Sequence, residues 1–125
     1  MDIANPAFET LAFLDYELSP HRRRLLRDGQ AVPIGGRAFD LLALMARHPG
    51  EVLSTRMLMD AVWPDMVVVE GNVRTQVMLV RKLLGDDRGR PLIVNVTGRG
   101  YCFTAPVRRL AARQVEQREL VAWAS

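Results

Sequence analysis

Short apolar stretches separated by turn residues occupy the first third of the chain. Leu11 to Leu18 is rich in apolar and aromatic side chains, and Ser19-Pro20 ends that stretch. Further on, the dipeptide Asp28-Gly29 separates Arg24–Arg27 from Gln30–Ile34. Asp-Gly between two short apolar segments is typical of a two-residue β-hairpin loop, because both positions tolerate a positive φ. This part of the chain is therefore predicted to form a small antiparallel sheet.

The next two segments show the 3.6-residue period of amphipathic helices. The first lies between Gly35-Gly36 and His48-Pro49-Gly50, and its apolar residues recur at i, i+3, i+4 and i+7: Ala38, Leu41, Leu42 and Met45. After the apolar pair Val52-Leu53, Ser54 is a good N-cap for a second, shorter helix. Pro64 disfavours helical backbone at Trp63, so the second helix is predicted to end there.

A third helical segment, Glu70 to Leu84, has the clearest apolar stripe. At about 100° per residue, its members fall within about 60° of one another: Val73, Val77, Val80 and Leu84. Gly85 follows as a C-terminal stop. The other side mixes polar, basic and methyl-bearing residues: Gly71, Thr75, Met78 and Lys82, flanked by Arg74 and Arg81 on one side and by Asn72 and Leu79 on the other.

After the third helix, two β-rich runs predict a hairpin with a basic, glycine-rich tip. The runs are Leu92 to Val96 and Tyr101 to Thr104, joined by Thr97-Gly98-Arg99-Gly100. Two helices, a basic third helix and a basic hairpin follow one another in the order of a winged helix-turn-helix. We therefore predict an α+β fold: an N-terminal antiparallel sheet, three helices and a C-terminal β-hairpin wing. The domain is placed at residues 8–106, with 107–125 a linker or the start of a downstream region.

Composition narrows the class of protein without naming a partner. Of the 125 residues, 49% are apolar and 25% charged, as in an ordinary soluble globular domain, and the length suits one domain. No apolar run is long enough to span a membrane, and the N-terminus lacks the basic and apolar regions of a signal peptide. A single cysteine, Cys102, fits a reducing compartment. We expect a cytoplasmic protein without membrane contact in this segment.

Positive charge is concentrated in one part of the chain. Residues 1–20 hold four acidic and no Lys or Arg side chains, whereas residues 70–110 hold eight basic and three acidic ones. This uneven distribution is typical of a nucleic-acid-binding surface. It indicates the kind of partner better than the net charge of +3 does. The third helix is the predicted reader of the major groove, with the wing at the adjacent minor groove.

Each exposed residue type on the third helix suits a particular contact. Arg74 can hydrogen-bond guanine edges, Thr75 can reach a base edge or a thymine methyl group, and Met78 or Leu79 can add apolar contact with such a methyl. Arg81 and Lys82 suit phosphates, which set register and much of the affinity without specifying sequence. At the wing tip Arg99 can enter a narrow minor groove, supported by Asn95 and Thr97.

Several motifs in the right order resemble the OmpR/PhoB-type transcriptional regulatory C-terminal domain of bacteria. They are VEGNVRTQV at 69–77, VRKLLGDD at 80–87 and VTGRGYCF at 96–103, together with AVWPD at 61–65 and HPGEVLS at 48–54. The resemblance covers roughly Phe13 to Ala105. It implies a four-stranded N-terminal sheet, tandem or dimeric binding to direct DNA repeats, and contact with RNA polymerase through the loop Trp63 to Val69.

The same resemblance implies roles for individual positions. The base-reading positions of the family fall on Arg74, Thr75, Met78 and Leu79, and its phosphate-binding positions fall on Trp63, Asn72, Arg81 and Tyr101. Several relatives have Arg where this chain has Met78 and Leu79, which shifts the expected readout toward thymine methyl groups. A phosphoacceptor receiver domain precedes the domain in better-known members, whereas here we expect the domain to stand first, as in regulators with a downstream sensor.

Other functions remain as alternatives at this point. A winged helix can serve as a protein-interaction module, whose affinity for its partner would not fall steeply with salt. It can also bind DNA without sequence preference, with similar affinity for all sites. Trp63 and Tyr101 suit core packing as well as phosphate contact. An enzyme needs a nucleophile with its base, paired acids or a metal set, whereas His21, His48 and Cys102 are isolated in the sequence. We therefore expect neither catalysis nor a cofactor or metal.

Overall fold

A computed structural model describes residues 9–85 and 91–111 of the chain. These residues divide into two compact units. One unit holds the described residues up to Pro33 together with those from Val107, and the other is Ile34–Pro106. Among the described residues, none of the helices is long and apolar enough to cross a membrane.

The first unit is an antiparallel sheet. Its described residues form five strands, in the order β4-β3-β2-β1-β8: β1 (Thr10–Phe13), β2 (Tyr16–Ser19), β3 (Arg24–Arg27), β4 (Gln30–Ala31) and β8 (Arg108–Leu110). Asp28 and Gly29 have φ values of 50° and 81°, the pair of positive angles that a two-residue hairpin loop requires. The predicted hairpin at Asp28-Gly29 and the predicted antiparallel sheet are therefore confirmed.

Strand β8 differs from what the sequence predicts. Thr10 pairs with Leu110 and Ala12 with Arg108, so the sheet gains a fifth strand beside β1. The family resemblance implies four strands in this sheet, and Arg108–Leu110 is a fifth, within the segment 107–125 that the sequence assigns to a linker or a downstream region. A three-residue strand is too short to show a period of two, and only pairing with the edge of β1 reveals it. The rest of the predicted linker, residues 112–125, lies outside the described residues.

The second unit contains the three helices and a small sheet. In chain order its elements are α1 (Gly36–Arg47), β5 (Val52–Leu53), α2 (Thr55–Val62), α3 (Glu70–Leu83), β6 (Ile93–Val96) and β7 (Gly100–Phe103). The Ser54 side chain accepts a hydrogen bond from the backbone N–H of Met57 at 3.0 Å, as expected of an N-cap. All three predicted helices are confirmed to within one or two residues at their ends.

The apolar stripe of α3 is the centre of this unit. Val73, Val77 and Val80 are at most 1% exposed, and α3 contacts both α1 and α2. Burying each valine side chain contributes about 1.5–3 kcal/mol, so the stripe strongly favours one rotation of α3 about its axis. The opposite face of the helix is consequently left outside the core.

The wing is a three-stranded sheet in the order β5-β7-β6 and not a simple hairpin. The third strand is the apolar pair Val52-Leu53, which pairs with Cys102 and Tyr101 of β7. Gly100 is the first residue of β7, with a φ of 144°, and a Cβ there would overlap the carbonyl oxygen of Leu53. The glycine at this position is therefore required by the approach of β5 to β7, inside the wing.

Candidate DNA interface

The exposed face of α3 holds the side chains that the sequence assigns to base reading. Arg74 and Thr75 are exposed, and Met78 and Leu79 are 60% and 45% exposed. Residues 75, 78, 79 and 82 follow the i, i+3, i+4, i+7 spacing and so share one side of the helix. The structure thus brings a hydroxyl, two large apolar groups and the Lys82 ammonium together on one surface.

The start of α3 is stabilised by a residue from its own first turn. The side-chain oxygen of Asn72 accepts a hydrogen bond from the backbone N–H of Val69 at 3.1 Å. Val69 is the N-cap and has no side-chain oxygen, so Asn72 takes over part of the capping. Because this bond orients the amide, the exposed donor end of Asn72 is suited to an acceptor such as a phosphate oxygen.

Arg81 makes a contact that sequence reasoning missed. Its Nε and Nη2 donate to the carbonyl oxygen of Ile93, at 3.1 Å and 2.7 Å. Arg81 is only partly exposed, whereas the neighbouring Lys82 is exposed. The predicted phosphate contact of Arg81 thus competes with a bond inside the domain, between α3 and the wing. No local sequence signal marks this pair, which is 12 positions apart.

Trp63 and Tyr101 lie mostly within the protein. They are 6% and 8% exposed, respectively. Trp63 is the C-cap of α2, and its backbone N–H donates to Met59 at 3.0 Å. Core packing therefore covers most of the surface of both side chains and leaves little of it for contact with phosphate. A hydrogen bond from these side chains to a ligand would use the indole N–H of Trp63 or the phenol hydroxyl of Tyr101.

The wing tip is a tight turn that presents Arg99. The backbone N–H of Arg99 donates to Val96 at 2.9 Å, and Gly98 has a φ of 76°, as the third position of a type II turn requires. Thr97 and Arg99 are exposed, as is Asn95 on β6. The three predicted wing residues therefore lie on one projecting end of the sheet.

The loop between α2 and α3 exposes apolar side chains. Met66, Val67 and Val69 are 55%, 101% and 68% exposed. Arg37 of α1 donates to the carbonyl oxygen of Val62 at 2.5 Å and approaches the Met66 sulfur at 3.6 Å. Arg37 thus satisfies a carbonyl at the end of α2 and contacts Met66 within the loop. The sequence alone does not reveal this role of Arg37, because Val62 is 25 residues away in the chain.

His48 and Cys102 contact residues close to them in the chain. His48 is the C-cap of α1 and its Nδ1 lies 3.2 Å from Glu51, while Cys102 is half-buried on β7. Within residues 9–85 and 91–111, no group of three or more His, Cys, Asp or Glu side chains is placed to hold a metal ion.

The second unit is a winged helix: a third helix exposed on one face, followed by a small sheet with a projecting tip. The sequence model of the family "Transcriptional regulatory protein, C terminal" matches residues 29–103, and the chain belongs to this family. The OmpR/PhoB-type resemblance inferred from the motifs is thereby confirmed. Members are DNA-binding domains of transcription regulators, so the chain is not an enzyme.

Individual relatives and solved structures agree with this assignment. The chain is 36% identical over 86 residues to the transcriptional regulatory protein CutR of Streptomyces coelicolor, covering 68% of this chain and 38% of CutR. It is 35% identical over 95 residues to the transcriptional activator CadC of Escherichia coli, covering 74% of this chain and 19% of CadC. The chain thus spans less than half of either relative.

Two solved structures share the fold. The DNA-binding domain of E. coli CadC superposes with a TM-score of 0.70 at 32% identity, covering 79% of this chain and 94% of that domain. The DNA-binding domain of E. coli CpxR superposes with a TM-score of 0.68 at 30% identity, covering 76% of this chain and 95% of that domain. The predicted α+β winged-helix class is confirmed.

Proposed function

We propose that this chain binds double-stranded DNA at specific sequences to regulate transcription, with the recognition helix 70–84 in the major groove and the wing 92–104 at the minor groove. The observation that carries the proposal is the single exposed face of α3, where Arg74 and Thr75 stand beside Met78 and Leu79. The buried valine stripe leaves this face clear of the core, and a helix of this width enters the major groove.

Base reading falls to four side chains of α3. Arg74 donates to guanine, and Thr75 reaches a base edge or a thymine methyl. Met78 and Leu79 have no hydrogen-bonding hydrogen to donate, so their exposed surface is matched by the apolar C5-methyl group of thymine. The preferred sites therefore contain thymines where Met78 and Leu79 meet the groove.

Phosphates are held by residues around that face. Lys82 supplies an exposed ammonium and Asn72 an oriented amide. The indole N–H of Trp63 and the hydroxyl of Tyr101 add single donors from largely buried rings. At the minor groove Arg99 enters from the turn of the wing, with Asn95 and Thr97 beside it. Arg81, which the sequence also assigns to phosphate, donates instead to the carbonyl oxygen of Ile93.

The domain works within a larger transcription complex in the bacterial cytoplasm. The exposed apolar side chains Met66, Val67 and Val69 support contact of the 63–69 loop with RNA polymerase. Two copies bind in tandem on repeated half-sites, which is an expectation from the family. The transcription regulators CutR and CadC are longer proteins, of which this chain covers 38% and 19%.

Selection of bound sequences from a random duplex pool tests the proposal. Wild type, Arg74→Ala and Arg22→Ala are compared at about 0.15 M salt, the last as a control because it removes an exposed positive charge from the first unit. We expect a repeated motif for wild type and Arg22→Ala. Arg74→Ala should lose preference at one position, at a cost of about 1–3 kcal/mol.

Other outcomes point to the rival functions. Binding without an enriched motif indicates a non-specific DNA binder, because phosphate contacts alone do not specify sequence. Absence of binding at low salt indicates a protein-interaction module. Equal losses on all sequences from Arg74→Ala and Lys82→Ala would refute the division of roles on α3.

A further inference from the structure

Arg81 connects the recognition helix to the wing. Its guanidinium donates twice to one acceptor, the carbonyl oxygen of Ile93, through Nε at 3.1 Å and Nη2 at 2.7 Å. The contact joins the last turn of α3 to the first residue of β6. We propose that Arg81 is a positioning residue, which sets the wing relative to the recognition helix so that both grooves are engaged together. The inference rests on the DNA binding proposed above.

The Ile93 carbonyl has a structural need for this donor. In the wing sheet, β6 is an outer strand. The Leu92 carbonyl accepts from the backbone N–H of Thr104 at 2.8 Å and so points toward the β7 side. Successive carbonyls of a strand point to opposite edges, so that of Ile93 points away from β7. Ile93 is 0% exposed, so water has little access to its carbonyl oxygen. The guanidinium of Arg81 therefore supplies the hydrogen-bond donor that this buried carbonyl requires.

The neighbouring lysine has a different setting. At about 100° per residue, Arg81 lies about 80° from Val73, at the margin of the buried stripe, and Lys82 lies about 180° from it. Lys82 is exposed and Arg81 is only partly so. The two adjacent basic residues therefore have different roles: Lys82 faces the major groove of DNA, and Arg81 faces the wing.

Arg81 therefore acts on DNA through Arg99. Arg99 stands at the wing tip, beyond the four-residue strand that begins at Ile93. A change in angle at Ile93 moves the tip much more than it moves the base of the wing. Without Arg81, we expect Arg99 to lose its place in the minor groove while the α3 face stays intact.

A double-mutant cycle on the duplex selected by wild type tests this role, using the complete 125-residue chain. Dissociation constants are measured for wild type, Arg81→Lys, Arg99→Ala and the double variant. Arg81→Lys keeps the positive charge but not the planar fork. Lys82→Gln, alone and with Arg99→Ala, is the matched control. A side-chain NMR spectrum follows exchange of the Arg81 Nε–H with water, with and without DNA.

Positioning predicts coupling between Arg81 and Arg99. We expect Arg99→Ala to weaken binding about tenfold in wild type and less than about twofold in Arg81→Lys, while its effect in Lys82→Gln stays near tenfold. The Nε–H of Arg81 should exchange slowly both free and bound to DNA. Independent effects of Arg81→Lys and Arg99→Ala, or rapid Nε–H exchange in the complex, would overturn the inference. Failure of wild type to select any duplex would instead refute the proposed function.

Discussion

Replacing thymine by uracil in the selected DNA site isolates the contribution of Met78 and Leu79. Uracil lacks only the C5-methyl group, so it keeps base pairing and every hydrogen-bonding group of the major-groove edge. Met78 and Leu79 are 60% and 45% exposed in the protein alone, which leaves apolar surface on both to be covered by DNA. We expect the substitution to weaken binding at thymines that face these two side chains.

The magnitude follows from the buried methyl groups. Covering one methyl contributes about 0.8 kcal/mol, or about a fourfold change in the dissociation constant. Adjacent helical residues point about 100° apart, so Met78 and Leu79 face different thymines and their effects should add. Two substitutions therefore cost about 1.6 kcal/mol, or about fifteenfold in affinity.

Fluorescence anisotropy with thymine- and uracil-containing duplexes measures this directly. The variant Met78→Ala/Leu79→Ala is the control, because truncation removes most of the surface that a methyl would cover. In that variant the difference between the two duplexes should fall below about twofold. If wild type binds its selected site equally well with uracil at every position, apolar readout by Met78 and Leu79 is refuted, even though DNA binding stands.

Three further predictions concern stability and charge. Val77→Ala should lower the free energy of unfolding by about 2 kcal/mol, and the adjacent, exposed Met78→Ala by less than about 0.5 kcal/mol, in urea titrations; equal losses would contradict the assigned core. Gly100→Ala should cost at least about 1–3 kcal/mol by the same measurement, since φ is 144° and the new Cβ meets the Leu53 carbonyl. Lys82→Gln should reduce the slope of log affinity against log salt by about 1 on all sequences, and an unchanged slope would exclude a phosphate contact.

Local signals in the sequence determined the helices and the hairpin loop. The Ser54 cap, the Asp28-Gly29 turn and the Val73-Val77-Val80 stripe each involve residues within one or two turns of one another. Their geometry depends on short-range sterics and hydrogen bonds, and the structure reproduces all three. The exposed face of α3 follows directly, because a helix that buries one stripe must present the opposite one.

The tertiary structure decided how distant segments meet. Strand β8 depends on the edge of β1, the third wing strand on the approach of Leu53 to Tyr101, and the Arg81 bond on the position of Ile93. None of these pairs has a periodic pattern in sequence, since each partner is chosen by strand register and by packing of the core between them. For the same reason the sequence identified Arg81 as a positive charge on α3 but could not show that its guanidinium turns toward the wing.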